Sequence, residues 1–166
     1  RGLTPADPCK SRGAPVLVSE PNESRRELAR RFGADVVINP TEENLKERVL
    51  ELTEGFGANV VFDAVSTVPV VESSLELLSA AGRFLEYGYG FGSASIDFTP
   101  VNKKELTILG TRHQRECFEP VLGYFREHLK QASVLCTHVL PAERYEEAFA
   151  LFENKQSGAC KVVLTF

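Results

Sequence analysis

The stretch VLVSEPNESRRELA, residues 16–29, places a carboxylate, Glu20, directly after a β-branched run and ahead of a proline, several cap-forming residues and a charged helical segment. An ionised carboxylate only accepts hydrogen bonds, so one that ends a strand can hold the two hydroxyls of a diol. It is equally at home as a solvated anion beside a helix N-terminus, where the macrodipole favours negative charge. The four cysteines, Cys9, Cys117, Cys136 and Cys160, are far apart and contain no C-x-x-C pair. Neither a zinc knuckle nor a dithiol redox motif is therefore visible, and buried reduced thiols are expected.

The elements that would position Glu20 follow from the alternation of short apolar runs with helix-length segments. VLVS (16–19) is a strand, 23–32 a helix, VVI (36–38) a strand, 42–53 a helix and VVFDAV (60–65) a strand. The pattern continues with a helix over 69–80, a strand RFLEYG (83–88), a strand LTILGT (106–111) and a helix CFEPVLGYFREHL (117–129). VLCTHVLP (134–141) reads as a strand, 142–153 as a helix and KVVLTF (161–166) as a last strand. The first fifteen residues carry three prolines and little periodicity, so coil is expected there, with a turn of helix near Cys9 to Arg12. Such a βαβα rhythm predicts a parallel sheet with helices on both faces, because parallel neighbours need crossover connections. Gly33, Gly55, Gly57 and Gly82 stand where these helices should stop. In a doubly wound sheet an acid at the end of the second strand accepts hydrogen bonds from an adenosine ribose and repels a 2′-phosphate. Glu20 fits that place, with NAD preferred over NADP.

Composition narrows the classes. With 166 residues and 43% hydrophobic content the chain can bury a core, and its net charge of −4 is mixed in sign along its length. No basic stripe suggests nucleic acid, no polybasic segment suggests a membrane surface, and no apolar run is long enough to span a bilayer. A cytoplasmic protein is expected.

The order of the segments VLVSEPNESRRELARRFGADVVINPTEE, GANVVFDAVS, AAGRFLEYGYG, ELTILGTRH, THVLPAERYEEAFALFE and KVVLTF resembles the carboxyl-terminal half of the medium-chain, zinc-type alcohol and polyol dehydrogenases. The likeness runs from about Lys10 to Phe166. It implies that Glu20 holds the adenosine ribose and that Arg25 packs beside it. It implies further that backbone at Ala64 and Val65 passes under the adenosine half, and that Tyr87, Gly88 and Tyr89 lie beside the nicotinamide. Thr111, Arg112 and His113 would flank the carboxamide, and Lys161 would reach the pyrophosphate. Against these stand plainer readings: solvated cations at Arg25 and Lys161, strand aromatics at Tyr87 and Tyr89, a turn glycine at Gly88, a surface imidazole at His113. His138 in THVLP reads as structural.

Two parts of the family pattern have no counterpart in these residues. No G-x-G-x-x-G motif occurs, and no Cys/His/Glu set matches the family's catalytic zinc ligands. The expected fold is thus α/β, an incomplete Rossmann-like doubly wound parallel sheet lacking the first strand and the glycine-rich loop. Its parts would be an irregular 1–15, an NAD-binding region 16–133 and a return segment 134–166 that in the family packs toward the catalytic domain. The absent strand would have separated 16–19 from 60–65. Another segment, such as VLCTHV or KVVLTF, should fill that gap, or those two strands should pair directly. Ser66 stands where the family usually has glycine, and its side chain would crowd a docked nucleotide. The resemblance implies an NAD-binding portion of an alcohol, polyol or sugar dehydrogenase, with zinc supplied by residues outside this chain. The alternative is a non-catalytic remnant acting as an interaction module. A homo-oligomer through the edge strand at 106–111 is expected in either case, and GTRHQRECFEPVL leans toward sugar alcohols and sugar acids as substrates.

Overall fold

A computed structural model describes residues 6–90, 92–111, 116–154 and 157–166. In chain order the elements are α1 (Ala6–Ser11), β1 (Leu17–Ser19), α2 (Glu23–Arg31), β2 (Val36–Ile38), α3 (Leu45–Leu52), β3 (Ala58–Asp63), α4 (Val68–Ser74) and β4 (Leu78–Glu86). There follow α5 (Phe98–Lys103), β5 (Thr107–Gly110), α6 (Phe118–Glu127), α7 (Leu129–Leu135), β6 (Cys136–Pro141), α8 (Tyr145–Glu153) and β7 (Lys161–Thr165). Every strand pairing among the described residues is parallel. Two units divide the chain, one containing Pro40–Arg115 and the other Ala6–Asn39 with Glu116–Phe166.

In the Pro40–Arg115 unit the strands lie in the order β3-β4-β5. They end in step, since Asp63 pairs with Glu86 and Glu86 with Gly110. Leu75, Leu78 and Phe84 form the core, with Val61, Val71, Val101 and Leu106 packed on them. Helix was expected through residue 80, but α4 ends at Ser74, a 3₁₀ turn takes Leu75–Leu77 and the strand begins at Leu78. Burial decides this. The run LELL places Leu75, Leu77 and Leu78 all under 9% exposed, whereas a continued α-helix would keep Leu75 and Leu78 on one face and turn Leu77 away from it. Gly57 admits the turn: at φ +86, a Cβ there would lie 2.8 Å from the Leu77 carbonyl oxygen and 2.9 Å from the Leu78 carbonyl carbon. The ladder with β3 shifts register after Leu78 and resumes at Arg83, where the strand was expected to start.

In the other unit β1 pairs with β2, from Leu17 opposite Val36 to Ser19 opposite Ile38. Helix α2 covers this pair with Leu28 and Ala29, and Ile38 is 1% exposed. Asp35 fixes the entry to β1 by accepting the Val16 amide at 2.8 Å and pairing with Lys10. The helix in the proline-rich start spans Ala6–Ser11, earlier and longer than the turn expected near Cys9. Strands β6 and β7 form a βαβ unit through α8, whose Ala148 is buried.

The expected closure of the gap is overturned. Among the described residues β1 pairs only with β2, β3 only with β4, and β6 and β7 with each other. The α8 crossover makes β6 and β7 natural parallel partners. All four cysteines are free thiols, but they are not buried as expected: Cys117 and Cys136 are exposed and Cys9 and Cys160 half-buried.

Candidate functional site

The C-terminal edge of the β3-β4-β5 sheet is organised by one residue. Asp63 is 3% exposed. Its Oδ1 accepts the amides of Val65 at 2.8 Å and Ser66 at 3.0 Å, while its carbonyl oxygen accepts those of Tyr87 and Gly88, each at 2.8 Å. Four main-chain donors from two loops therefore converge on the last residue of β3. Its Oδ2 is buried with no hydrogen-bond partner among the described residues.

Ser66 follows in the left-handed region at φ +59. An L-residue there costs about 1 kcal/mol relative to glycine, which gives a physical reason for the glycine seen in the resembling family. The added hydroxyl donates to the carboxylate of Glu86 at the end of β4. Gly88 and Gly90 close over the same serine. A Cβ on Gly88 would stand 2.9 Å from the Ala64 carbonyl carbon, and one on Gly90 would stand 2.7 Å from that of Ser66. The result is a cavity of about 330 Å³ lined by Ser66, Val68, Val71, Glu86 and Tyr89 with the glycine backbone. Thr111 joins this edge: its amide and hydroxyl both donate to the Glu86 carbonyl, at 3.0 and 3.2 Å. Ala64, Val65, Tyr87, Gly88, Tyr89 and Thr111 thus share one sheet edge, with Val65 and Tyr89 60% and 66% exposed. Arg112 and His113 lie outside the described residues.

In the other unit Glu20 occupies the first position after β1, half-buried. Its amide donates to the Ile38 carbonyl at 3.1 Å, extending the β1-β2 ladder by one bond. Its Oε1 accepts the Asn22 amide at 2.9 Å. That leaves Oε2 directed to no protein donor among the described residues, at the first turn of α2, where Asn22 Oδ1 caps Arg25 N at 3.1 Å. Arg25 is exposed on α2. The arginine that meets Glu20 is the next one, Arg26, which donates to the Glu20 carbonyl at 3.1 Å and the Pro21 carbonyl at 2.7 Å. Lys161 opens β7 with an exposed side chain. Three residues earlier, a Cβ on Gly158 would lie 3.8 Å from Ser24 of α2, which brings that approach to β7 against the helix that follows Glu20. His138 Nδ1 lies 3.0 Å from Thr137 Oγ1, and the same oxygen accepts the Cys160 amide at 2.9 Å, so this corner ties β6 to the start of β7.

Asp63, Glu86 and Arg26 were not singled out by sequence reasoning. A charge two residues after Phe84, on the same face of β4, was the available signal for Glu86. An acid closing the apolar run VVF was the signal for Asp63. Arg26 carries no signal separating it from Arg25. Among the described residues no three His, Cys, Asp or Glu side chains converge as metal ligands, so this donor set does not fit a catalytic zinc ion.

Comparison with known proteins follows the same lines. A family model described as zinc-binding dehydrogenase matches residues 2–129. The L-threonine 3-dehydrogenase of Pyrococcus abyssi is 36% identical over 162 residues, which cover 95% of this chain and 47% of that protein. The sorbitol dehydrogenase of Halalkalibacterium halodurans is 30% identical over 99% of this chain and 48% of its own. Among solved structures, one described as a short chain alcohol dehydrogenase from E. coli CFT073, complexed with cofactor NADH, superposes with a TM-score of 0.90 at 28% identity, covering 99% of this chain and 49% of that one. The fold is α/β with parallel sheets, as in the Rossmann-like carboxyl-terminal half of such enzymes. The chain spans about half the length of the curated relatives it matches, and it belongs to the zinc-binding dehydrogenase family.

Proposed function

We propose that this chain is the NAD-binding portion of a cytoplasmic dehydrogenase acting on an alcohol, polyol or sugar. The observation that carries this reading is Glu20, a half-buried carboxylate directly after β1 with one oxygen on the Asn22 amide and the other meeting no donor among the described residues. Such a group accepts hydrogen bonds from a ribose diol and repels a 2′-phosphate, so NAD is preferred over NADP. The cradle around Ser66, Gly88 and Gly90, where main chain replaces side chains, fits the approach of a flat dinucleotide ring. Bound NAD supplies an acceptor for a hydride at C4 of the nicotinamide.

The residues act by binding and orienting. Arg25 packs beside the ribose. Ala64 and Val65 offer backbone to the adenosine, while Tyr87, Gly88 and Tyr89 border the nicotinamide. Thr111, Arg112 and His113 flank the carboxamide, and Lys161 places a cation near the pyrophosphate. Ser66, with its hydroxyl turned to Glu86, leaves less bulk toward the nucleotide than a free side chain would. The segment 134–166 packs toward the catalytic portion in this reading, and zinc comes from outside this chain. Calorimetric titration with NAD and NADP tests it: tighter binding of NAD is expected, and equal affinity for the two would overturn the role of Glu20.

A second reading, a dimerisation module, draws on β5. All four of its residues are exposed at the edge of the sheet, with Ile108 and Leu109 40% and 44% accessible. Unpaired apolar edges template association. Sedimentation at micromolar concentration should show a dimer that Ile108→Lys converts to monomer; a monomer before substitution would remove this reading.

A further inference from the structure

The path of the chain at Glu20 is held at both ends of the residue. Its amide is bonded to Ile38 of β2, and its carbonyl is bonded to Arg26 Nη1, which also takes the Pro21 carbonyl. Arg26 is 8% exposed, and the second amino group of its guanidinium pairs with Glu23. A cation so buried needs its donors satisfied, and here two of the three acceptors are the consecutive carbonyls that lead out of β1. Rotation of either peptide plane would cost the guanidinium one of these acceptors, which favours the observed path of the bend 20–22. Along that path Oε1 of Glu20 accepts the Asn22 amide, and Oε2 meets no donor among the described residues.

We infer that Arg26 is a positioning residue for nucleotide recognition: without touching the ligand, its guanidinium fixes the direction of the Glu20 carboxylate and so sets the discrimination between a ribose diol and a 2′-phosphate. This rests on the proposed NAD reading. A lysine would supply one nitrogen where the guanidinium supplies a planar fork, so it restores the geometry only in part.

The test uses the full chain with Arg26→Gln, Arg26→Lys, Glu20→Ala and the double variant Glu20→Ala/Arg26→Gln, each titrated with NAD and with NADP. Hydrogen exchange at the Asn22 amide is followed in parallel. Arg26→Gln is expected to weaken NAD binding about tenfold, the scale of a lost charge-assisted hydrogen bond, and to leave NADP nearly unchanged. Arg26→Lys should fall between. On a Glu20→Ala background Arg26→Gln should cost no further NAD affinity, because the two act as one unit. Exchange at Asn22 should quicken in Arg26→Gln. Independent, additive losses, or a folded Arg26→Gln protein with unaltered NAD over NADP preference, would overturn the inference. If the unsubstituted chain binds no dinucleotide, the NAD reading fails by itself. The Asn22 amide then decides: faster exchange supports the positioning role and unchanged exchange removes it. Should Arg26→Gln not fold, the same comparisons are read from Arg26→Lys.

Discussion

Asp63 joins two loops through four amides, and that arrangement predicts what its removal does. Asp63→Ala strands the Val65 and Ser66 amides and should destabilise the fold by about 1–3 kcal/mol. Asp63→Asn keeps a carbonyl oxygen at Oδ1 and should lose clearly less; urea unfolding of the two variants measures the difference. Gly88→Ala should also cost about 1–3 kcal/mol, because its Cβ meets Ser66 and the Ala64 backbone with no room to move. A Gly88→Ala protein that melts with the parent would contradict the close approach at this edge. Glu20 and Gly88 were legible in the sequence, since a carboxylate after a β-branched run and a glycine after a strand are local signals. Asp63 and Arg26 were not, because each works by accepting or donating across a bend. Nothing in the spelling RR says which of the two arginines turns inward.

The elements were legible where caps and periodicity agree and misread where burial overrides them. Asn44, extended at the N-cap of α3, accepts the amides of Lys46 and Glu47 on its Oδ1 at 3.1 and 3.3 Å. Asn44→Ala should therefore destabilise by about 1 kcal/mol, checked by thermal or urea melts. Helix α5 went unnoticed in the sequence because ITS start lies in the short polar-apolar run IDFTPVNK, where Asp97 capping Thr99 N at 2.8 Å is the defining contact. Four carboxylates held by a cation or an amide titrate below their ordinary range. The Arg26 hydrogen bond lowers Glu23, Lys10 lowers Asp35, Lys46 lowers Glu76, and the Thr99 amide lowers Asp97. With folded-state values depressed, their contribution is complete above the ordinary values of 4.5 for Glu and 3.8 for Asp and is lost as pH falls through the lower, folded-state values. Urea midpoints should hold steady above pH 4.5 and decline below 3.8. A flat profile through that window would mean that these contacts are absent in solution.

At the scale of the whole molecule, alternation of strand and helix predicted an α/β fold with parallel sheets, and the choice of strand partners escaped it. Pairing depends on which edges meet in space, and short apolar runs such as VVI and VVLT carry no mark of their neighbour. The described residues leave β1 and β3 with one partner each, and Val60 and Phe62 of β3 are 41% exposed. No helix among them is long and apolar enough to cross a membrane. Whether this chain keeps the cofactor chemistry of its family is a question for one measurement: calorimetric titration of the purified chain with NAD, beside Glu20→Ala. Saturable binding that the substitution weakens is the expected result. A folded chain that takes up no NAD, or one in which Glu20→Ala binds it equally well, would contradict the assignment of Glu20 and of the strand end that carries it.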